Sequence, residues 1–266
     1  MDALSQARGA SPAVGLRAAQ LTVRAGAREL VRALSIEFAR GEMIAILGRN
    51  GSGKTLTLHT LAGLRQPAAG AMSLDGVPMP QLRRRALALK LGLLPQDLED
   101  AFVSTAIETV LIGRHPHLSL WQWESAQDEQ IARAALRAVD MDNLALRRTD
   151  TLSGGEQRRV AVAALLAQDP AIFLLDEPTN HLDPHHQLAV LTLFRKLAAA
   201  GRTVITTLHD PTLAARFADR ALLLYGDGRW LLGPVGTTLT AATLSELYVA
   251  PMIELGQDGR RVFVSA

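Results

Sequence analysis

The stretch GRNGSGKT at positions 48–55 has the spacing G-x-x-x-x-G-K-[ST], an arrangement suited to polyphosphates. Gly48, Gly51 and Gly53 free the backbone to turn successive N–H groups toward an anion. Lys54 is placed to reach the β- and γ-phosphates, and the Thr55 hydroxyl to complete a Mg²⁺ shell that keeps some of its waters. Arg49, Asn50 and Ser52 between these residues, and Leu56 after them, complete the candidate nucleotide contacts. Such a loop requires a strand before it and a helix after it. MIAIL, 43–47, is a short apolar run that reads as a buried parallel strand. LTLHTLAGL, 56–64, has apolar residues three and four apart with Gly63 near its end. It reads as a helix whose N-terminus adds to the attraction for anions. The loop binds a nucleoside triphosphate.

Complementary chemistry lies at AIFLLDEPTNHLD, 171–183, an apolar strand that ends in two adjacent carboxylates, Asp176 and Glu177. A strand that delivers a carboxylate to its C-terminal end, in a sheet that also carries a phosphate loop, supplies the Mg²⁺ ligand of a phosphoryl-transfer site. Side chains alternate along a strand, so the two cannot do the same job: one holds the metal and the other can address water. TVITTLHD, 203–210, is a further buried strand closing on His209. TLSGGEQRR, 151–159, opens a helix with Ser153 as N-cap, Gly154 and Gly155 in its first turn, and Glu156 completing a capping box.

The 266 residues are 48% hydrophobic, enough to bury the core of one large α/β domain or of a domain carrying a subdomain. With 28 basic and 26 acidic residues the net charge is +2, which gives no argument for nucleic acid as a partner. The absence of cysteine excludes disulfides, thiolate zinc sites and a thiol nucleophile. The first fifteen residues lack the apolar core of a signal peptide and are expected to form a flexible tail. The longest purely apolar run, 160–167, is far short of the roughly 20 residues of a membrane helix. The expectation is a soluble intracellular chain that meets a membrane only through a partner.

LTV and LSIEF within 16–47 alternate as antiparallel strands do, and 72–74 followed by Asp75-Gly76 reads as a strand and turn. Residues 81–90 read as a helix whose Arg83, Arg84 and Arg85 form a solvated face. LGLLPQ is a strand ending on Gln96. From 97 helical periodicity takes over, so 97–152 is expected to be an α-helical subdomain inserted into the core, with Trp121 and Trp123 packed inside it. His115 and His117 lack a third ligand nearby and do not read as a metal site.

The ordered set GRNGSGKT, LLPQD, LSGGE, IFLLDEP, NHLD and LHD resembles the nucleotide-binding domain of ABC transporters over residues 16–235; the LSGGE motif is specific to that family. The resemblance implies an α/β P-loop NTPase (RecA-like) mixed sheet with an antiparallel β subdomain, within a domain spanning 16–266. It makes Lys54 the Walker A lysine, Gln96 the Q-loop sensor of γ-phosphate and Mg²⁺, and Asp176 the Walker B carboxylate. Glu177 becomes the residue that polarises water, Asp183 the D-loop aspartate, and His209 the switch histidine. Metal contacts fall to Thr55, Gln96 and Asp176, and the cofactors are ATP and Mg²⁺. Ser153 and Gly155, with Gly154, would touch ATP held by a second copy, making a homodimer with composite sites. The surroundings of His181, His185 and His186 are then explained by nucleotide machinery rather than by zinc.

Family members usually stack an aromatic residue on adenine within a motif resembling L-x-V-x-Y-G. LTVRAG puts Ala25 there, leaving Arg24 or Arg28 to cover the base. Exporters commonly fuse this domain to membrane helices, and sugar importers append a long regulatory domain after it; neither is expected here. GRHPH and LSELYVAPMIEL resemble importer ATPases for ferric siderophores, haem and cobalamin. That resemblance implies permease partners, a periplasmic binding protein reached through them, and a place at the cytoplasmic face of the inner membrane. The alternative is a soluble ABC ATPase not coupled to transport, but such chains usually carry paired cassettes or long coiled coils. A GTPase would need an N-K-x-D motif, which is absent.

Overall fold

The computed structural model describes residues 15–96, 104–119, 121–257 and 260–266. The tail expected over 1–15 lies outside them apart from Gly15, as does the start of the inserted segment at Asp97. β1 (Leu16–Ala25) and β2 (Arg28–Phe38) are antiparallel, paired from Leu16 opposite Phe38 to Ala25 opposite Arg28 with register shifts between Ala18 and Arg24. β3 (Met43–Leu47) enters the phosphate loop, which opens α1 (Lys54–Leu61). β4 (Ala69–Leu74) and β5 (Val77–Pro78) complete an antiparallel sheet of order β2-β1-β4-β5. α2 (Arg84–Ala88) leads to β6 (Leu91–Leu94).

Helices α3 (Ala106–Ile112), α4 (Ala126–Ala138) and α5 (Gly154–Gln168) then intervene before β7 (Ile172–Leu175). α6 (Pro184–Ala199), β8 (Thr203–Thr207), α7 (Pro211–Phe217) and β9 (Arg220–Leu224) alternate after it. β10 (Trp230–Pro234), α8 (Val235–Thr238) and α9 (Ala241–Tyr248) precede a hairpin of β11 (Met252–Gln257) and β12 (Arg260–Ser265).

The central sheet has the order β10-β9-β3-β8-β7-β6, parallel throughout except for the antiparallel pairing of β10 with β9. Both faces are covered, which is why its strands read as continuous apolar runs. Alternation still decides which core each residue joins. Met43, Ala45 and Leu47 pack with α5, α6 and α7, whereas Ile44 and Ile46 pack against α1 and the antiparallel sheet. On β7, Phe173 and Leu175 face the first core, and Ile172 and Leu174 the second. The parity carries Asp176 toward the α1 face.

Two expectations are corrected. The helix expected over 81–90 is confined to Arg84–Ala88, because Met79–Gln81 forms a 3-10 turn and Leu82 is extended at ψ 132°. Leu82 and Leu87 both pack against the second core, and that tertiary demand overrides local helix propensity. Trp121 and Trp123 are not packed inside the helical layer but are 93% and 86% exposed. They precede the helix instead of lying on it: Ser125 caps α4 in a capping box with Asp128, and Trp121 has φ of +70°.

α3 and α4 both pack on α5. Nε of Arg114 pairs with Asp128 at 2.9 Å and Nη1 donates to the Ala167 carbonyl at 2.8 Å, so one guanidinium ties the start of α4 to the end of α5. The Ser125 hydroxyl and N–H, then Arg114, pull the Asp128 carboxyl down to about 2.

Candidate nucleotide-binding and hydrolytic site

The loop between β3 and α1 is shaped by close approach. A Cβ at Gly48 would meet Ser52 Oγ at 2.4 Å and the Leu224 carbonyl at 2.6 Å, so no other residue fits there. Gly53 has φ of +100° and caps α1 without a side-chain acceptor, which leaves the first-turn N–H groups directed outward as an anion site. Lys54 is 6% exposed and its Nζ donates to the Gly48 carbonyl at 3.0 Å. Burial pulls its ammonium below the ordinary lysine range, while the charges of Glu177 and Asp176 act in the opposite direction.

Above this loop an open cleft of ≈ 440 Å³ is lined by Arg49, Asn50, Gly51, Gly53, Lys54, Thr55, Leu56, Gln96, Glu177 and His209 on one side and Ala25, Arg28 and Leu30 on the other. Gly226, to which Arg28 is bound, follows β9, and Glu177 follows β7; these strands lie on opposite sides of β3, so the two groups flank the phosphate loop. Arg24 does not line the cleft: its guanidinium is paired with Glu29. Of the two arginines left open by the sequence, Arg28 is therefore the one that lines the cleft.

Thr55 Oγ1 lies 3.5 Å from Gln96 Oε1. Asp176 is fully buried; its Oδ1 accepts from the Thr207 hydroxyl at 2.6 Å, and its Oδ2 has no hydrogen-bond partner. A buried carboxylate oxygen without a donor is a hard ligand of the kind that Mg²⁺ takes, as are the Thr55 hydroxyl and the Gln96 amide oxygen. Glu177 is 5% exposed and its Oε1 meets His209 Nε2; Asn180 Nδ2 donates to its other oxygen. Its N–H donates to Thr207 Oγ1 at 2.8 Å. A smaller cleft of ≈ 290 Å³ on the far side also touches Glu177 and His209, together with Asn180 and His181.

Ser153, Gly154, Gly155 and Asp183 do not line either cleft. Ser153 accepts from the Glu156 N–H at 3.3 Å, and Glu156 in turn accepts from the Ser153 N–H, which with the Ser153 hydroxyl lowers its carboxyl. Asp183 caps α6 through Oδ1 and the His186 N–H at 2.9 Å, while Oδ2 meets His186 Nδ1; the His186 N–H, then its ring, hold this carboxyl low. Ligand atoms of Asp183, His185 and His186 lie within 4.8 Å of one another, but both Asp183 oxygens are engaged in the cap.

Three participants escaped the sequence reading. Thr207 ends a strand read only as buried, and its position beside a carboxylate-bearing strand was the available signal. Asn180 lies inside the motif already quoted. Arg158 is 1% exposed, and its spacing to Val162 and Leu165 puts it on the inward face of α5, a charged residue in an apolar stripe.

A phosphate loop after β3 and a buried Asp176-Glu177 pair after β7, two strands of one parallel sheet separated by β8, define a P-loop nucleoside triphosphatase. Residues 31–180 match the ABC transporter family, and the chain belongs to it. It is 42% identical over 224 residues to the hemin import ATP-binding protein HmuV of Gloeobacter violaceus, covering 82% of this chain and 80% of that one. It is 36% identical over 230 residues to the achromobactin transport ATP-binding protein CbrD of Dickeya dadantii, covering 86% of each. Among solved structures, an inward-facing metal-chelate type ABC transporter matches with a TM-score of 0.83 and 28% identity over 95% of this chain and 98% of that one. A dimeric cassette, MJ0796 bound to ADP and Pi, matches at 0.72 and 27% over 83% and 98%. The chain is an ATPase of this family, and no helix among the described residues is long and apolar enough to cross a membrane.

Proposed function

We propose that this chain is the ATP-hydrolysing subunit of an importer for a metal chelate, with haem the first candidate, working as a homodimer beneath a permease at the cytoplasmic face of the inner membrane. The observation that carries the catalytic part is Glu177: a buried carboxylate paired with His209 and held by Asn180, across the cleft from Lys54. Relatives named for hemin import support the cargo, and CbrD, named for achromobactin transport, keeps a ferric siderophore as the second candidate. Cobalamin is the third.

Lys54 and the first-turn N–H groups of α1 hold the β- and γ-phosphates, and Thr55, Gln96 and Asp176 would hold Mg²⁺, whose charge would neutralise that of the phosphate oxygens when it is bound. Glu177 accepts a hydrogen bond from the attacking water, aligning its oxygen with the γ-phosphorus as the bond to the leaving ADP oxygen breaks. His209, bound to the same carboxylate, fixes its rotamer and faces the developing charge. Ser153, Gly154, Gly155 and Asp183 lie off this cleft and complete the site of a second copy. The helical segment, about 97–152, is the lever toward the permease, and exposed Trp121 and Trp123 supply it with apolar docking surface. A periplasmic binding protein would deliver the cargo to that permease.

The test is reconstitution with a candidate permease and its binding protein, followed by uptake of haemin, a ferric siderophore and cobalamin in parallel. ATP-dependent haemin accumulation that is lost with Glu177→Gln is the expected result. Full ATP turnover without association with any permease would favour the soluble alternative.

A further inference from the structure

Arg158 heads the fully buried side chains of the described residues, although it carries a charge. Its guanidinium fork meets two strand ends at once. Nη1 donates to the backbone oxygens of Pro95 and Gln96, the latter at 3.2 Å, and Nη2 to those of Asp176 and Glu177, the latter at 2.9 Å. Pro95 and Gln96 follow β6, Asp176 and Glu177 follow β7, and the two strands are parallel neighbours. A single side chain on α5, the helix that Ser153 caps, therefore joins the backbone of two of the three proposed metal ligands, Gln96 and Asp176, and of the residue proposed to address water.

Glu177 needs this hold. Its φ of +49° lies in the left-handed region, unfavourable for a residue with a β-carbon and sustained only where the surroundings impose it. The Thr207 hydroxyl fixes its N–H, and the Asn180 N–H and Arg158 Nη2 fix its carbonyl at 3.1 and 2.9 Å. Of these partners Arg158 alone belongs to the helical layer.

We propose that Arg158 is a positioning residue for hydrolysis, which sets the spacing between the Gln96 and Asp176–Glu177 backbones and makes that spacing follow α5. α3 and α4 pack on α5, so displacement of that layer is transmitted to four carbonyls at the reacting end of the cleft. The inference rests on the ATPase site and holds whichever cargo is carried.

Arg158→Lys and Arg158→Gln in the full chain test it, with ATP affinity, kcat, Mg²⁺ dependence and melting temperature measured together. Lysine keeps the charge but replaces a planar fork with one ammonium, which cannot span the four acceptors. Both variants are expected to bind ATP within about twofold of the parent, because the four carbonyls that Arg158 holds lie outside the phosphate loop, while kcat falls by about tenfold or more and half-maximal activity needs more Mg²⁺. A residue serving stability alone would lower the melting temperature and the folded fraction, and leave kcat per folded molecule and the Mg²⁺ dependence unchanged; that result overturns the proposal. If neither variant folds, amide exchange in the parent decides. Protection at the ends of β6 and β7 and in the first turns of α5 is expected to change together on Mg²⁺-ATP binding, and independent changes overturn the coupling.

Discussion

Arg28 donates from Nε and Nη2 to the carbonyl of Gly226, at 3.1 and 2.7 Å, and Gly226 in turn abuts the phosphate loop: a Cβ on it would lie 3.0 Å from Ser52 Cα. The guanidinium is thereby fixed on the same cleft that Ala25 and Leu30 line, the part of it proposed to take the base. A cation over a ring contributes about 0.5–1 kcal/mol at an exposed site, so Arg28→Ala is expected to loosen ATP by about two- to fivefold. Ala25→Tyr adds a stacking ring and is expected to tighten ATP by about two- to twelvefold without altering the Mg²⁺ requirement. Since most contacts are to phosphates, GTP should bind only modestly worse than ATP. Titration of both nucleotides with all three proteins checks this, and a hundredfold preference for ATP in the parent would mean that something else reads the base.

Glu177→Gln keeps the shape of the side chain and the Asn180 contact, but removes the charge that pairs with His209 and orients water. ATP affinity is expected to hold while turnover falls by about 10²–10³ or more, the scale on which a positioned base acts. Lys54→Ala is expected to lose binding itself. Single-turnover and equilibrium binding measurements separate the two outcomes; a Glu177→Gln protein hydrolysing at the parental rate would remove Glu177 from its role.

The phosphate loop and the two strand ends were legible because their signals are local: glycine spacing, apolar runs, and carboxylates at a run's end. The parallel character of the central sheet, though not its strand order, followed from the buried character of those runs. What could not be read was the meeting of distant segments. Nothing near 158 in the chain announces carbonyls at 95–96 and 176–177. The tryptophan pair was misjudged because apolar content was weighed without the capping box at Ser125, which begins α4 only after them.

Thr207 serves both carboxylates, donating to Asp176 Oδ1 and accepting from the Glu177 N–H. Thr207→Val preserves its volume and strands a buried donor and acceptor, for an expected loss of about 1–3 kcal/mol. Denaturant unfolding gives the stability change. Turnover is expected to fall further than the lost stability accounts for, because Asp176 is freed to rotate.

Asp128 makes the helical layer acid-sensitive. Its folded-state carboxyl, near 2, is below the ordinary 3.8, so its stabilising contribution is complete above about pH 4–5 and disappears as pH falls through about 2. The shift corresponds to about 2 kcal/mol at neutral pH for a side chain only 9% exposed. Asp128→Asn is expected to cost about that much at pH 7 and to flatten the pH dependence of unfolding between about pH 4 and 2. An unchanged acid profile in the variant would place the sensitivity elsewhere.

Ser153 caps α5 outside the cleft that holds Lys54, and this separation makes a decisive complementation possible. Should the signature of one copy complete the phosphate loop of another, Ser153→Arg spoils the signature by placing a bulky cation at the γ-phosphate contact, and Lys54→Ala spoils the loop. Neither variant alone can assemble a good site. A mixed dimer contains one site with both defects and one with none, so mixing the two inactive proteins is expected to restore part of the activity. Specific activity of the parent is likewise expected to rise with protein concentration through the dimer dissociation constant. Mixtures that stay inactive although mixed dimers are demonstrated by differential tagging, or a monomer with full activity at every dilution, would place a complete site within one chain.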